Sequence, residues 1–274
     1  MADRAGLAAV LRELKELGVS ELFLDGLTAD QAVALLARTA GRRPGATRAP
    51  GSAPSPPDPR GRDGPPRPVP RGSGPGEGEG AAGDRATSRQ HGPLEALARE
   101  AAGCTRCRLS EGRTQVVFGR GSAGAELVVV GEAPGREEDR TGLPFVGPAG
   151  KLLDLLLLSV GFDRAGVYIC NVLKCRPPNN RDPLADEVAT CAPYLHAQLD
   201  AIRPRVLLAV GKFAAQMLSG SESSIGRLRG RVHEYRGIPV VATYHPAYLL
   251  RSPQATRKTW QDLQLMRRVM DEHA

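Results

Sequence analysis

From residue 93 onward the sequence predicts an α/β fold: a three-layer α/β/α domain on a four-stranded parallel sheet, preceded by a helical extension and a disordered linker. Three observations carry this reading. Four short apolar runs, Leu127–Val130, Val167–Cys170, Val206–Val210 and Val240–Thr243, have the length and composition of strands buried on both faces. Stretches of helical character, roughly 148–160, 184–202, 211–219 and 256–272, lie between and after them. Strand and helix alternate, which favours parallel strands with crossover helices on both faces.

Along the chain, residues 1–40 place Leu7, Val10, Leu11, Leu14 and Leu17, then Ala32, Leu35 and Leu36, at helical spacing. Two short amphipathic helices are expected there. They would bury little surface alone, so they are read as an accessory hairpin that docks elsewhere, a protein partner being one candidate. Residues 41–92 are mostly Pro, Gly, Arg and Ser, with almost no large apolar side chain. Such a segment cannot offset its chain entropy by burial and reads as a disordered linker. The folded domain is expected over 93–274.

The formal charge of +7 is uneven. Residues 1–40 hold four Lys/Arg against six Asp/Glu, and 41–92 hold nine against five, leaving 24 against 19 for the domain. A mildly basic domain suits a polyanionic partner. Five unevenly spaced cysteines do not make a secreted disulfide scaffold. The amino terminus carries acidic residues and no long apolar core, unlike a signal or transit peptide. No apolar run approaches the ~18 residues that would suggest a membrane span. A cytoplasmic protein without membrane contact is expected.

In open α/β sheets, ligands bind at the carboxyl ends of the strands. After the first strand comes Gly131-Glu132-Ala133-Pro134-Gly135, then the acidic stretch to Asp139. After the second come Asn171, Lys174, Cys175 and Arg176; the third ends at Gly211-Lys212; the fourth runs into Tyr244-His245-Pro246 and on to Arg251. Small, amide, acidic, imidazole and basic groups would thus meet on one rim. Cys104 and Cys107 form a C-x-x-C, and Cys175 and Cys191 lie far along the chain. Four thiolates can hold a zinc ion or a [4Fe–4S] cluster, and spacing alone does not choose. Cys170, inside an apolar run, reads as a buried, unreactive thiol.

These residues resemble a known family. GEAPGREEDRTGLPFVGPAGKLLD from Gly131, YICNVLKCRPPNNRDP from Tyr168 and HPAYLLR from His245 are similar, in order and spacing, to the family 4 uracil-DNA glycosylases. The upstream C-x-x-C-R-L-x-x-x-R agrees as well. The resemblance covers about 93–274 and implies the same four-stranded α/β/α fold. It also implies a structural [4Fe–4S] cluster on Cys104, Cys107, Cys175 and Cys191, stapling the N-terminal helix to the long loop after the second strand, 172–191.

The resemblance further implies a DNA glycosylase that flips deoxyuridine out of single- or double-stranded DNA and hydrolyses its N-glycosidic bond, the first step of base excision repair. By it, Phe145 stacks on the base, Asn171 reads its edge, and His245 donates a hydrogen bond to uracil O2 as charge develops. That role suits a neutral imidazole whose other nitrogen faces an acceptor or water. Gly131 and Ala133 line the pocket. Ala133 stands where family 1 enzymes carry an Asp, which leaves the water activator among Glu132, Glu138 and the amide of Asn180. Gly135 stands where those enzymes carry a methyl-excluding Tyr, and Glu138 would close the pocket near C5. Leu249 or Leu250 would wedge into the duplex, with Arg251, Lys174 and Arg176 on phosphates. A monomer is expected.

Two alternatives compete. One is a non-catalytic nucleic-acid-binding module of the same fold with structural zinc. The other, a nucleotide-binding enzyme, lacks its motif, since G-E-A-P-G is not G-x-G-x-x-G. A covalent uracil-trapping variant needs a His-containing insertion that the segment Cys175–Arg181 does not have.

Overall fold

The computed structural model describes the backbone of residues 82–272 and the side chains of 92–272. The expected hairpin over 1–40, and the linker up to residue 81, lie outside the described residues. The described chain opens with α1 (Ala82–Ala102), which begins inside the segment read as linker, so residues 82–92 are helix rather than tether. The remaining helices are α2 (Leu109–Gly112), α3 (Arg136–Thr141), α4 (Pro148–Leu158), α5 (Ala185–Ile202), α6 (Lys212–Ser219), α7 (Ile225–Leu228), α8 (Pro246–Arg251) and α9 (Thr256–Glu272). The strands are β1 (Arg120–Gly121), β2 (Leu127–Gly131), β3 (Tyr168–Asn171), β4 (Val206–Val210), β5 (Val232–Tyr235) and β6 (Ile238–Thr243).

They form one six-stranded sheet in the order β1-β3-β2-β4-β6-β5. The four predicted strands are its parallel centre. The expected count of four is corrected by two antiparallel edge strands, β1 on β3 and β5 on β6. Both are short and lack continuous apolar content. The β5–β6 hairpin turns through Arg236 and Gly237, both at positive φ, which matches a tight two-residue turn.

The central strands alternate sides. Val128, Val130, Cys170, Leu207, Ala209, Val240 and Ala242 pack against α1, α5 and α6. Leu127, Val129, Ile169, Val206, Leu208, Val210 and Val241 pack against α4, α8 and α9. Burial on both faces explains why the strands read as unbroken apolar runs. The helices obey the same logic. In α4, Pro148 occupies the first turn, and Leu152, Leu153, Leu156 and Leu157 share one buried side. In α9, Leu263, Met266, Val269 and Met270 do so. Each fully buried side chain of this size is worth about 1.5–3 kcal/mol.

The register sets the strand tips level. Gly131 pairs with Asn171, and Val210 pairs with Thr243. The chain leaves β2 for β3 on one side and returns to β4 on the other, so a crevice opens between the carboxyl ends of β2 and β4.

Candidate active site

Gly131 ends β2 at that crevice. A Cβ built there would lie 2.3 Å from Asn171 Oδ1 and 2.6 Å from the Phe145 ring, so only glycine lets both side chains lie over the strand tip. At the end of β4, Gly211 has φ 99°, and its missing Cβ would meet His245 at 3.2 Å. Phe145 and His245 stack with centroids 5.6 Å apart and planes 28° apart. Phe145, Asn171 and His245 therefore converge, as expected.

Asn171 is 1% exposed, and its Oδ1 has no hydrogen-bond partner. A buried, unmatched acceptor costs about 1–3 kcal/mol, a cost that a ligand donor would relieve.

His245 is the N-cap of α8, with Pro246 at the first helical position. Its Nδ1 accepts from the Ala247 N–H at 3.1 Å. The other ring nitrogen therefore faces a backbone donor, not the acceptor or water expected. An imidazole accepting through Nδ1 is neutral and carries its proton on Nε2. Burial, reinforced by Arg251 and opposed by Glu138, pushes its pKa down to about 4.

Phe145 sits at φ 51°, an uncommon and strained conformation for a bulky residue. Its surroundings hold it there. Glu138 Oε1 accepts from Val146 N at 2.9 Å and Gly147 N at 3.2 Å, while Oε2 accepts from Gly135 N at 3.1 Å. Arg164 donates to the Pro144 carbonyl and to Asp154. Glu138 is thereby committed to three backbone donors. Glu132 is placed differently: burial and Asp182 raise its pKa to about 7, against the pull of Lys212. Asn180 accepts from Arg176 Nε at 2.7 Å. Ala133 packs toward Leu109, Leu173 and Cys175.

Other expectations are corrected. Leu249 is 2% exposed in the core beside α4, so it is no wedge. Leu250 is partly buried, Arg251 is exposed, and Tyr248, missed in the sequence, is 40% exposed on the same helix. A six-residue helix is too short for periodicity to set its phase. Lys174 points inward, not toward phosphates, and is 2% exposed.

Cys104 and Cys107 come after α1, Cys175 comes after β3, and Cys191 lies in α5, which begins at Ala185 and so shortens the expected loop. All four cysteines line one small cavity of about 20 Å³, together with Arg113 and Tyr194. Among the described residues, no three His, Cys, Asp or Glu side chains already form a compact ion site. Burial drives the Cys175 thiol up to about 11, opposed chiefly by Arg113. Donors face the sulfurs: Arg113 Nη1 lies 3.4 Å from Cys175 Sγ, and the Lys174 N–H lies 3.3 Å from Cys191 Sγ. Cys170 is fully buried in β3, as expected. Among the described residues no helix is long and apolar enough to cross a membrane.

Level parallel strand tips of an α/β domain thus bring together an aromatic ring, a buried unpaired amide oxygen and a neutral imidazole. The chain belongs to the uracil-DNA glycosylase superfamily, whose family model matches residues 118–264. Within it the chain sits with the type-4 enzymes. It is 49% identical over 169 residues to the type-4 uracil-DNA glycosylase of Archaeoglobus fulgidus, covering 59% of this chain and 85% of that protein. It is 47% identical over 161 residues to that of Thermotoga maritima, covering 58% and 84%. The type-5 enzyme of Pyrobaculum aerophilum is 36% identical over 146 residues, 47% of this chain and 64% of that protein.

Proposed function

We propose that this chain excises uracil from DNA with Phe145, Asn171 and His245 as the base-binding and catalytic groups. The observation that carries the residue assignment is the unpaired Asn171 Oδ1 beside Phe145. Uracil carries an N3–H that this acceptor would take; cytosine carries a bare nitrogen there and would leave the acceptor unmatched, at about 1–3 kcal/mol. Flipping the nucleotide costs a few kcal/mol, which stacking on Phe145 and the Asn171 contact would offset.

Cleavage leaves negative charge on uracil. The Nε2–H of neutral His245 donates to it, and a donor aimed at developing charge is worth about 2.7–4 kcal/mol. The lowered pKa supports this: the ring starts neutral and needs no deprotonation. Glu132, poised near neutrality and free of the three backbone donors that engage Glu138, is the carboxylate better matched in pKa to take a proton from water. Glu138 serves instead as the clamp that presents Phe145.

The cysteine corner fits a [4Fe–4S] group. Four cysteines around one cavity, with donors facing two of the sulfurs, support thiolate ligation there, and the resemblance to the type-4 enzymes favours the cluster over zinc. When bound it would supply structural cross-linking, holding the turn after α1 against α5 and the β3 exit. Exposed Tyr248 and Arg251 on α8, with Leu250 beside them, are the DNA-facing groups in this reading. The non-catalytic zinc module is not favoured, because the relatives are glycosylases.

Release of free uracil from uracil-containing DNA tests this. Asn171→Ala is expected to lower kcat/KM by tens-fold and to weaken inhibition by free uracil. Unchanged kinetics would remove Asn171 from the pocket.

A further inference from the structure

Lys174 stands between the two sites. Its Nζ donates to the main-chain carbonyl of Asn171 at 2.6 Å and to Gln198 Oε1. Gln198 is itself fully buried, and its Nε2 donates to the Phe118 carbonyl at 2.9 Å and to the Tyr168 hydroxyl at 3.0 Å. The Lys174 peptide is held as well: its N–H donates to Cys191 Sγ, and its carbonyl accepts from Val117 N at 2.8 Å.

The oxygens that this amine reaches are neutral. The amine also lies 5.8 Å from the Phe118 ring centroid and within the influence of the Cys170 and Cys191 sulfurs, and burying such an amine costs more than burying an apolar side chain of the same length. Its hydrogen bonds hold the main chain at the exit of β3, at Asn171, whose side-chain oxygen is buried and unpaired.

We infer that Lys174 is a positioning residue that holds Asn171 in its base-reading orientation and ties that strand end to the cysteine corner. This rests on the assignment of Asn171 as the base reader. The network runs from the tip of β3 through Lys174 and Gln198 to α5, the helix that also carries Cys191.

The test is a double-mutant cycle of Lys174→Met and Asn171→Ala in the full chain. It reads kcat and KM separately, inhibition by free uracil, visible iron–sulfur absorption and the melting temperature. Lys174→Met is expected to keep the absorption and melt no lower than the parent. It should lose about 10- to 100-fold in kcat/KM, as a small displacement of a positioned group does, and bind free uracil more weakly. In the Asn171→Ala background the same change should add less than about 2-fold, because the two act through one contact. Additive losses, parental kinetics, or loss of absorption with additive kinetics would each overturn the inference. If Lys174→Met does not fold, Gln198→Met removes the amine's second acceptor; a smaller loss, again non-additive with Asn171→Ala, is expected, and additivity overturns the inference. Parental kinetics of Asn171→Ala alone would instead fell the base-reading assignment on which this stands.

Discussion

The pocket and the cysteine corner are built in opposite ways. The pocket is assembled by the sheet: its glycines, amide and imidazole sit at or just beyond the tips of neighbouring parallel strands, and burial keeps the imidazole neutral. The corner is assembled by distant segments, the turn after α1, the exit of β3 and the body of α5. Burial there works against the thiolates, with Cys175 pushed up to about 11. A site made by strand register can stand on backbone hydrogen bonds alone. In the proposed reading, a bound cluster would hold the remote segments of the second site together.

Three changes break or sharpen that contrast. The largest effect is expected for Cys175→Ser, which should abolish visible iron–sulfur absorption and lower the melting temperature more than any single pocket substitution; a variant that keeps its colour and melting point would contradict the four-cysteine assignment. Next, Glu138→Gln keeps shape but weakens the acceptors that hold Val146 and Gly147. A loop displaced by about 1 Å can cost ~100-fold, so single-turnover uracil release should fall by tens-fold while the absorption persists. An unchanged rate would mean the Phe145 loop holds without its clamp.

The smallest effect is in the pH profile. If Glu132 takes the proton from water, the rate should rise as pH increases through about 7, and Glu132→Gln should flatten that rise. Stability runs the other way for this group. Its folded pKa lies above the ordinary 4.5, so its contribution is present below 4.5 and lost as pH rises toward 7. His245 has the opposite sign: its folded pKa of about 4 lies below 6.5, so its contribution is present above 6.5 and lost as pH falls toward 4. Melting curves of Glu132→Gln should therefore lack the loss between 4.5 and 7, and a rate that still climbs through neutrality would assign the base elsewhere.

The same contrast explains how much was legible in the sequence. Central strands buried on both faces announce themselves as apolar runs, and the residues just past each run lie on the rim, so Gly131, Asn171 and His245 could be nominated. His245 with Pro246 after it also carries a helix-start signal for α8, which a reading centred on the strands passes over. The edge strands β1 and β5 carry no such runs. Leu249 reads as a wedge and Tyr248 is passed over because six residues do not reveal a helix phase. The three backbone donors of Glu138, on which its proposed clamp role rests, are not displayed by a sequence. Lys174 looked like a surface cation, since nothing local betrays a lysine turned inward by Gln198, a residue far along the chain. The cysteine set was visible only as spacing, and its occupant came from resemblance.

The central claim is that a neutral His245, proton on Nε2, takes up the charge of departing uracil. Single-turnover release by His245→Ala, measured beside its affinity for uracil-containing DNA, tests this most directly. The expected result is a rate lower by about 100- to 1000-fold with DNA binding retained. Parental rates in the variant would contradict it.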